Sequence, residues 1–139
     1  MSNIDYSAIV TAEEKSHTNR KSLLAFLAEQ RRSAERAGVV WRHGLTLKSD
    51  PASRAALGQL LSEWDSAVTK GGVIWKCADG WDRMDKRAVR KALRILRSHV
   101  QACFTAEHFV AQEITDNRLT SCLSIQERFQ AILGRKVSP

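Results

Sequence analysis

The chain has 139 residues, room for one ordinary domain and not for two comfortable ones, and its 43% hydrophobic content argues against wholesale disorder. A formal charge of +7 suits an acidic partner, nucleic acid or protein, without choosing between them. No run approaches the roughly 18–20 apolar residues of a membrane span, so no membrane insertion is expected. The opening MSNIDYSAIVTAEEK lacks the basic-then-apolar order of a secretory signal. Cys77, Cys103 and Cys122 are odd in number and widely spaced, which fits a reducing, bacterial-type cytoplasm better than a disulfide framework.

In chain order, residues 1–10 read as an N-terminal segment, and Thr11-Ala12-Glu13-Glu14 as a capping box that opens a helix over 12–37. Leu23, Leu27, Gln30, Ala34 and Ala37 mark its stripe, with Leu24 and Phe26 beside it, and Gly38 is its stop. Its polar first half is a candidate for pairing with a second copy of the chain. Val39–Arg42 and Leu45–Lys48 flank His43-Gly44, a hairpin signal in which Gly44 accepts positive φ more readily than His43. Asp50-Pro51 then caps a second helix over 51–68, with Leu57, Leu60, Leu61, Trp64, Ala67 and Val68 on one face.

After Gly71-Gly72 the pattern begins again. Val73–Cys77 and Trp81–Met84 form a second hairpin about Ala78-Asp79-Gly80, a turn expected to be about two residues longer than the first. Asp85 caps a long third helix whose apolar face includes Val89, Leu93, Leu96, Val100, Cys103, Ala111 and Ile114, widened by Ala92, Phe104 and Val110. Residues 118–133 form a last amphipathic helix carrying Leu119, Cys122, Ile125, Phe129 and Ile132. The expected fold is α+β and predominantly helical: two short β-hairpins forming a small antiparallel sheet, packed with three to four helices. The domain runs over 11–117, followed by a C-terminal helix and tail over 118–139.

The densest charge pattern opens the third helix. Arg87, Arg90, Arg94 and Arg97 repeat at spacings of three, four and three, placing four guanidinium groups on one face, with Lys86 and Lys91 beside them and Arg83 just ahead. Such a face can follow successive phosphates, with steep salt dependence, or meet an acidic protein surface; equally, it can simply be the solvated side of an amphipathic helix. No zinc-finger spacing or aromatic RNA-recognition motif accompanies it. Of the four tryptophans, Trp64 and Trp75 suit the core, while Trp41 and Trp81, together with His43, are candidate exposed docking residues. His99, Cys103 and His108 do not share one helix face and lack a fourth ligand, so no metal site is expected. Nucleophile-elbow, phosphate-loop and HExxH patterns are absent. No enzymatic activity, catalytic residue or cofactor is expected.

From Tyr6–Glu13 through RRSAERAGVVWRHGLTLKSDPASRAAL, VIWKCADGWDRMDKRAVRKAL and HVQACFTAEHF, residues 6–115 resemble a family of phage and prophage domains, the domain-of-unknown-function family numbered four-three-seven-six. The marks are Arg31, Glu35, Ala37 and Gly38, the turn Gly44, Asp50 with Arg54, Trp75-Lys76, Ala78-Asp79-Gly80 and His99–Phe104. The resemblance implies a tail-associated protein of a tailed phage, encoded near fibre genes, and brings no established catalytic residues. Two departures stand out. Trp41 and His43 sit where related hairpins more often carry smaller residues and an Asn-Gly-type turn, and Lys86–Arg97 is more basic than the family's usual alanine-rich helix.

The expected function is therefore that of a non-enzymatic tail accessory: a tail or fibre component, or a factor for fibre assembly or attachment, acting by protein–protein docking. Its partners would be other phage tail or fibre proteins. It would reside in the host cytoplasm during assembly and then in the virion tail. The alternative is a small basic phage regulator that binds nucleic acid or a host factor through residues 86–97.

Overall fold

Neither glycine nor proline occurs between residues 2 and 37, and one helix, α1 (Ser2–Arg36), occupies this stretch until Gly38 ends it. The computed structural model describes residues 2–67 and 70–135, with side chains described over 19–66 and 70–134. The helix begins well before the expected capping box. Thr11–Glu14 lie inside it, and their side chains fall outside the described residues.

Gly38 takes φ +94°, the left-handed stop that its position after the apolar stripe predicts, and a Cβ there would meet Thr46 Cγ2 at 2.7 Å. The chain turns into β1 (Val39–Val40), pairs antiparallel with β2 (Thr46–Leu47) and enters α2 (Pro51–Ser62). At Asp50 the carboxylate accepts the Ser53 backbone N–H at 3.1 Å and the Ser53 hydroxyl at 2.6 Å, with Pro51 in the first turn. The Ser53 hydroxyl is the main reason Asp50 sits below the ordinary carboxylate range, outweighing the opposing effect of burial. The expected second helix is split: Glu63 adopts φ −106° and ψ 17°, and a single turn, α3 (Trp64–Ala67), follows. Val68 lies outside the described residues.

Strands β3 (Val73–Lys76) and β4 (Trp81–Met84) pair antiparallel, and the Cys77 N–H to Gly80 O bond of 2.8 Å continues their register. The Asp85 carboxylate accepts the Ala88 N–H at 2.8 Å and starts α4 (Lys86–Thr115). Asn117 ends that segment in a Schellman arrangement: its φ is +60°, its N–H reaches Ile114 O, and the Arg118 N–H reaches Glu113 O at 2.8 Å. Ser121 then caps α5 (Cys122–Arg135), a start four residues later than expected from the apolar pattern.

The fold is α+β and mainly helical, as its patterning predicts. One detail differs: the hairpins make two separate two-stranded sheets rather than one. Among the described residues Thr46 bridges them backbone to backbone, its carbonyl accepting the Ala78 N–H at 2.9 Å. The second turn is also not the longer one. Trp41 and Arg42 both oppose Leu45 in the first hairpin, through Trp41 N–H to Leu45 O and Leu45 N–H to Arg42 O, so the extra residue is a bulge there.

The chain divides into two compact units, Met1–Arg31 with Phe104–Pro139, and Arg32–Cys103. In the first, α1, α4 and α5 supply the buried Leu23, Leu27, Ala106, Val110, Ile114, Ile125 and Phe129. Phe104 is 43% exposed rather than part of that stripe, with the Arg31 guanidinium 4.8 Å from its ring centroid. Cys122 is likewise exposed. In the second unit the core joins Trp41, Leu47, Leu57, Cys77 and Met84 to Ala88, Val89, Ala92, Leu93 and Leu96 of α4.

Candidate functional site

All the residues singled out for docking lie in the second unit, but the fold gives them different surroundings. Trp41 is not the exposed docking residue expected of it: it is 7% exposed, packs in the core, and its indole N–H donates to Asp82 Oδ2 at 2.8 Å. A buried indole needs an acceptor, and Asp82, opposite Trp75 in the second hairpin, supplies it. Arg42 donates to the same oxygen at 2.8 Å and to Arg83 O at 2.9 Å. The Asp79 carboxylate accepts the Thr46 N–H at 2.8 Å. Side chains of one hairpin thus complete the hydrogen bonding of the other. Burial pushes the Asp82 carboxyl upward, but the bonds from Arg42 and Trp41 and the charges of Arg42 and His43 outweigh it, leaving the group below its ordinary range.

His43 is exposed and holds φ +58°, beside Gly44 at φ +72°, in the turn of the first hairpin. Trp81 is 64% exposed with the Lys76 ammonium 5.5 Å from its ring centroid. Arg83 is also exposed, and its Nη1 is anchored on Gly71 O at 2.9 Å. Alternation along β3 and β4 puts Ile74, Lys76, Trp81 and Arg83 on one outward face, in the cross-strand pairs Ile74–Arg83 and Lys76–Trp81.

The basic run behaves differently. Asp85 sets the phase of α4, and the small buried Ala88 and Ala92, with Val89, Leu93 and Leu96, turn the opposite face outward. Arg87, Arg90, Lys91, Arg94 and Arg97 are all exposed there. Among the described residues none of these five cations lies in a salt bridge, although Lys86, just before them, reaches Asp65 at 3.9 Å. Arg90, Arg94 and Arg97 line an open groove of about 450 Å³, together with Leu61 of α2 and with Leu93, Ser98 and Gln101 of α4. Like charges at this spacing repel one another, so the face gains from any anion that sits between them. Sequence periodicity finds the arginines. Leu61 as a second wall comes only from the packing of α2 against α4.

The other recognisable residues make a framework. The Ser49 hydroxyl, fully buried, donates to Glu35 O at 2.6 Å and accepts the Gly38 N–H at 2.9 Å. Arg54 donates to Ser49 O at 3.0 Å and to Glu35 Oε1 at 2.7 Å. Glu35, Gly38, Ser49 and Arg54 therefore tie the end of α1, the entry to the first hairpin and the start of α2 together. Ser49 is the member that sequence reasoning missed, since an isolated serine in a loop carries no pattern. His99 Nε2 lies 2.8 Å from Ala34 O; a carbonyl only accepts, so that nitrogen carries the proton. Cys103 Sγ is 3.8 Å from the same nitrogen. Among the described residues no group of three or more His, Cys, Asp or Glu side chains is placed to hold a metal. Nor is any described helix long and apolar enough to cross a membrane.

Neither a curated protein nor a solved structure matches the chain. A family model described as a domain of unknown function (DUF4376) matches residues 18–131, beginning later and ending further on than the resemblance visible over residues 6–115. That match takes in both hairpins, the Glu35–Ser49–Arg54 framework and the basic face of α4, and the chain belongs to this family of domains of unknown function.

Proposed function

We propose that the chain is a non-enzymatic docking module of a bacteriophage tail, acting by binding an acidic surface of a neighbouring tail or fibre protein through the exposed face of α4. One observation carries the reading: five cations, Arg87, Arg90, Lys91, Arg94 and Arg97, stand on a single helix face without a carboxylate partner among the described residues. A surface built only for solubility intersperses both signs, whereas this one concentrates a single sign, which speeds encounter with an acidic patch and fixes its orientation. The tail context rests on the resemblance of the chain to phage tail-associated domains, and with it come assembly in the host cytoplasm and a place in the virion tail.

The test is co-purification with tail particles, followed by mass spectrometry of those particles, for the wild-type chain and for a variant with Arg87, Arg90, Arg94 and Arg97 all changed to Glu. The docking reading expects association that the variant loses while its circular dichroism spectrum is kept. DNA binding at physiological salt that the same variant loses, without association with particles, would replace docking by the regulatory reading.

A further inference from the structure

We infer that the groove between α2 and α4 takes an acidic amphipathic helix of the partner, with carboxylates on Arg90, Arg94 and Arg97 and aliphatic side chains on Leu61 and Leu93. The inference rests on the docking reading above and names the occupant of its surface. Two features of the groove select that chemistry. Its rim is cationic and unpaired, which calls for an anion. The same groove is lined by Leu61, half-buried on α2, and by Leu93, 5% exposed on α4. A sugar–phosphate backbone satisfies the guanidinium groups and offers the leucines nothing. An amphipathic segment satisfies both, and arginine stems lying along its apolar side chains would add contact area.

Spacing selects a helix over an extended strand. From Arg90 to Arg94 to Arg97 the rise along α4 is about 6 Å and then about 4.5 Å, at 1.5 Å per residue. A second helix lying along α4 shows carboxylates at the same spacing of four and three, so three pairs form in register. Same-face residues of a strand recur every ~6.8 Å, so three carboxylates span about 13.6 Å against the ~10.5 Å of the arginines. The open groove, about 450 Å³ in volume, has room for side chains inserted from such a helix.

The experiment uses the full chain and a fluorescein-labelled alanine-based peptide with Glu at positions i, i+4 and i+7 and Leu on the flanking helical positions. It is read by anisotropy at physiological salt. Controls are a peptide of identical composition with its order scrambled, and an oligothymidine. The helical peptide should bind at micromolar concentration and the scrambled one at least about tenfold more weakly. Arg94→Glu should weaken binding about tenfold or more, and Leu61→Gln about threefold to tenfold. Arg90→Glu, at an exposed position, repeats the test without touching the core. Equal binding of both peptides, indifference to Leu61→Gln, or no peptide binding would overturn the groove inference. Docking itself would still stand if particle association continued to depend on the arginines. Tighter binding of oligothymidine than of either peptide, with no association with particles, would overturn both.

Discussion

Replacing Asp82 with alanine tests whether the two hairpins hold each other in place. The substitution leaves the Trp41 indole N–H, on a residue 7% exposed, without its acceptor at 2.8 Å, and removes the partner of Arg42. A buried donor left unsatisfied costs about 1–3 kcal/mol. The Arg42 pair adds little, since the Arg42 side chain is 42% exposed and such pairs are worth ~0–1 kcal/mol once solvent screening is counted. The expected loss is about 1–3 kcal/mol, a large part of an ordinary domain's stability. All four tryptophans lie within Arg32–Cys103, so their fluorescence in urea follows the unfolding of that unit. The midpoint should fall by roughly 1–2 M at a slope of ~1–3 kcal/mol per molar. Trp41→Phe keeps the ring and drops the donor, and a double-mutant cycle with Asp82→Ala should give a coupling of about 1–2 kcal/mol.

The pH dependence adds an independent arm. Because Asp82 titrates below its ordinary value in the folded chain, its stabilisation is complete above the unfolded pKa of about 3.9 and disappears as pH falls through the lower, folded value. The deficit of Asp82→Ala should therefore be constant from neutral pH down to about 5 and shrink below about 4. A variant within 0.5 kcal/mol of wild type, a coupling near zero, or a deficit unchanged at pH about 3 would refute the reasoning.

Three further substitutions probe the rest of the framework. Ser49→Ala removes, at a fully buried side chain, the acceptor of the half-buried Gly38 N–H and the donor to Glu35 O, and should lower stability by about 1–3 kcal/mol by urea titration. Gly38→Ala forces a Cβ against Thr46 at φ +94° and should cost roughly 2 kcal/mol, visible as a lower thermal midpoint. His43→Asn goes the other way: Asn tolerates the left-handed region better, so the variant should gain up to about 0.5–1 kcal/mol with an unchanged circular dichroism spectrum.

Much of the fold is legible because local rules and tertiary packing agree. Asp50 and Asp85 each precede a helix with an apolar stripe, and both cap it. Disagreement arises where long-range contact decides. Trp41 follows a strand of only two residues, Val39–Val40, too short for alternation to reveal which way the next side chain faces, and its indole N–H is satisfied by Asp82, 41 residues away. The amphipathic pattern of α5 reaches back to Leu119, but Asn117 and Ser121 occupy the left-handed stop and the new cap, and the helix waits until Cys122. The groove was half legible: the arginines repeat on one helix, while Leu61 joins them from another.

The residues that make the chain recognisable and those that make its surface charged belong to separate layers of the same unit. Glu35, Gly38, Asp50, Arg54 and Asp79 spend their polar groups on backbone and on one another, fixing where α1 ends, where α2 begins and how the hairpins meet. Their hydrogen bonds are made within the fold. Arg90, Arg94 and Arg97 face outward, and the buried side of α4 that holds them in place consists of Ala88, Val89, Ala92, Leu93 and Leu96. Exchanging an exposed arginine leaves that packing untouched, so the charge of α4 is free to change without cost to the scaffold. On the docking reading, a shared framework of this kind can serve different partners, each matched by the outer face of one helix. The run from Lys86 to Arg97, more basic than the alanine-rich helix that resemblance to the family leads one to expect, is then where this chain's own partner is written.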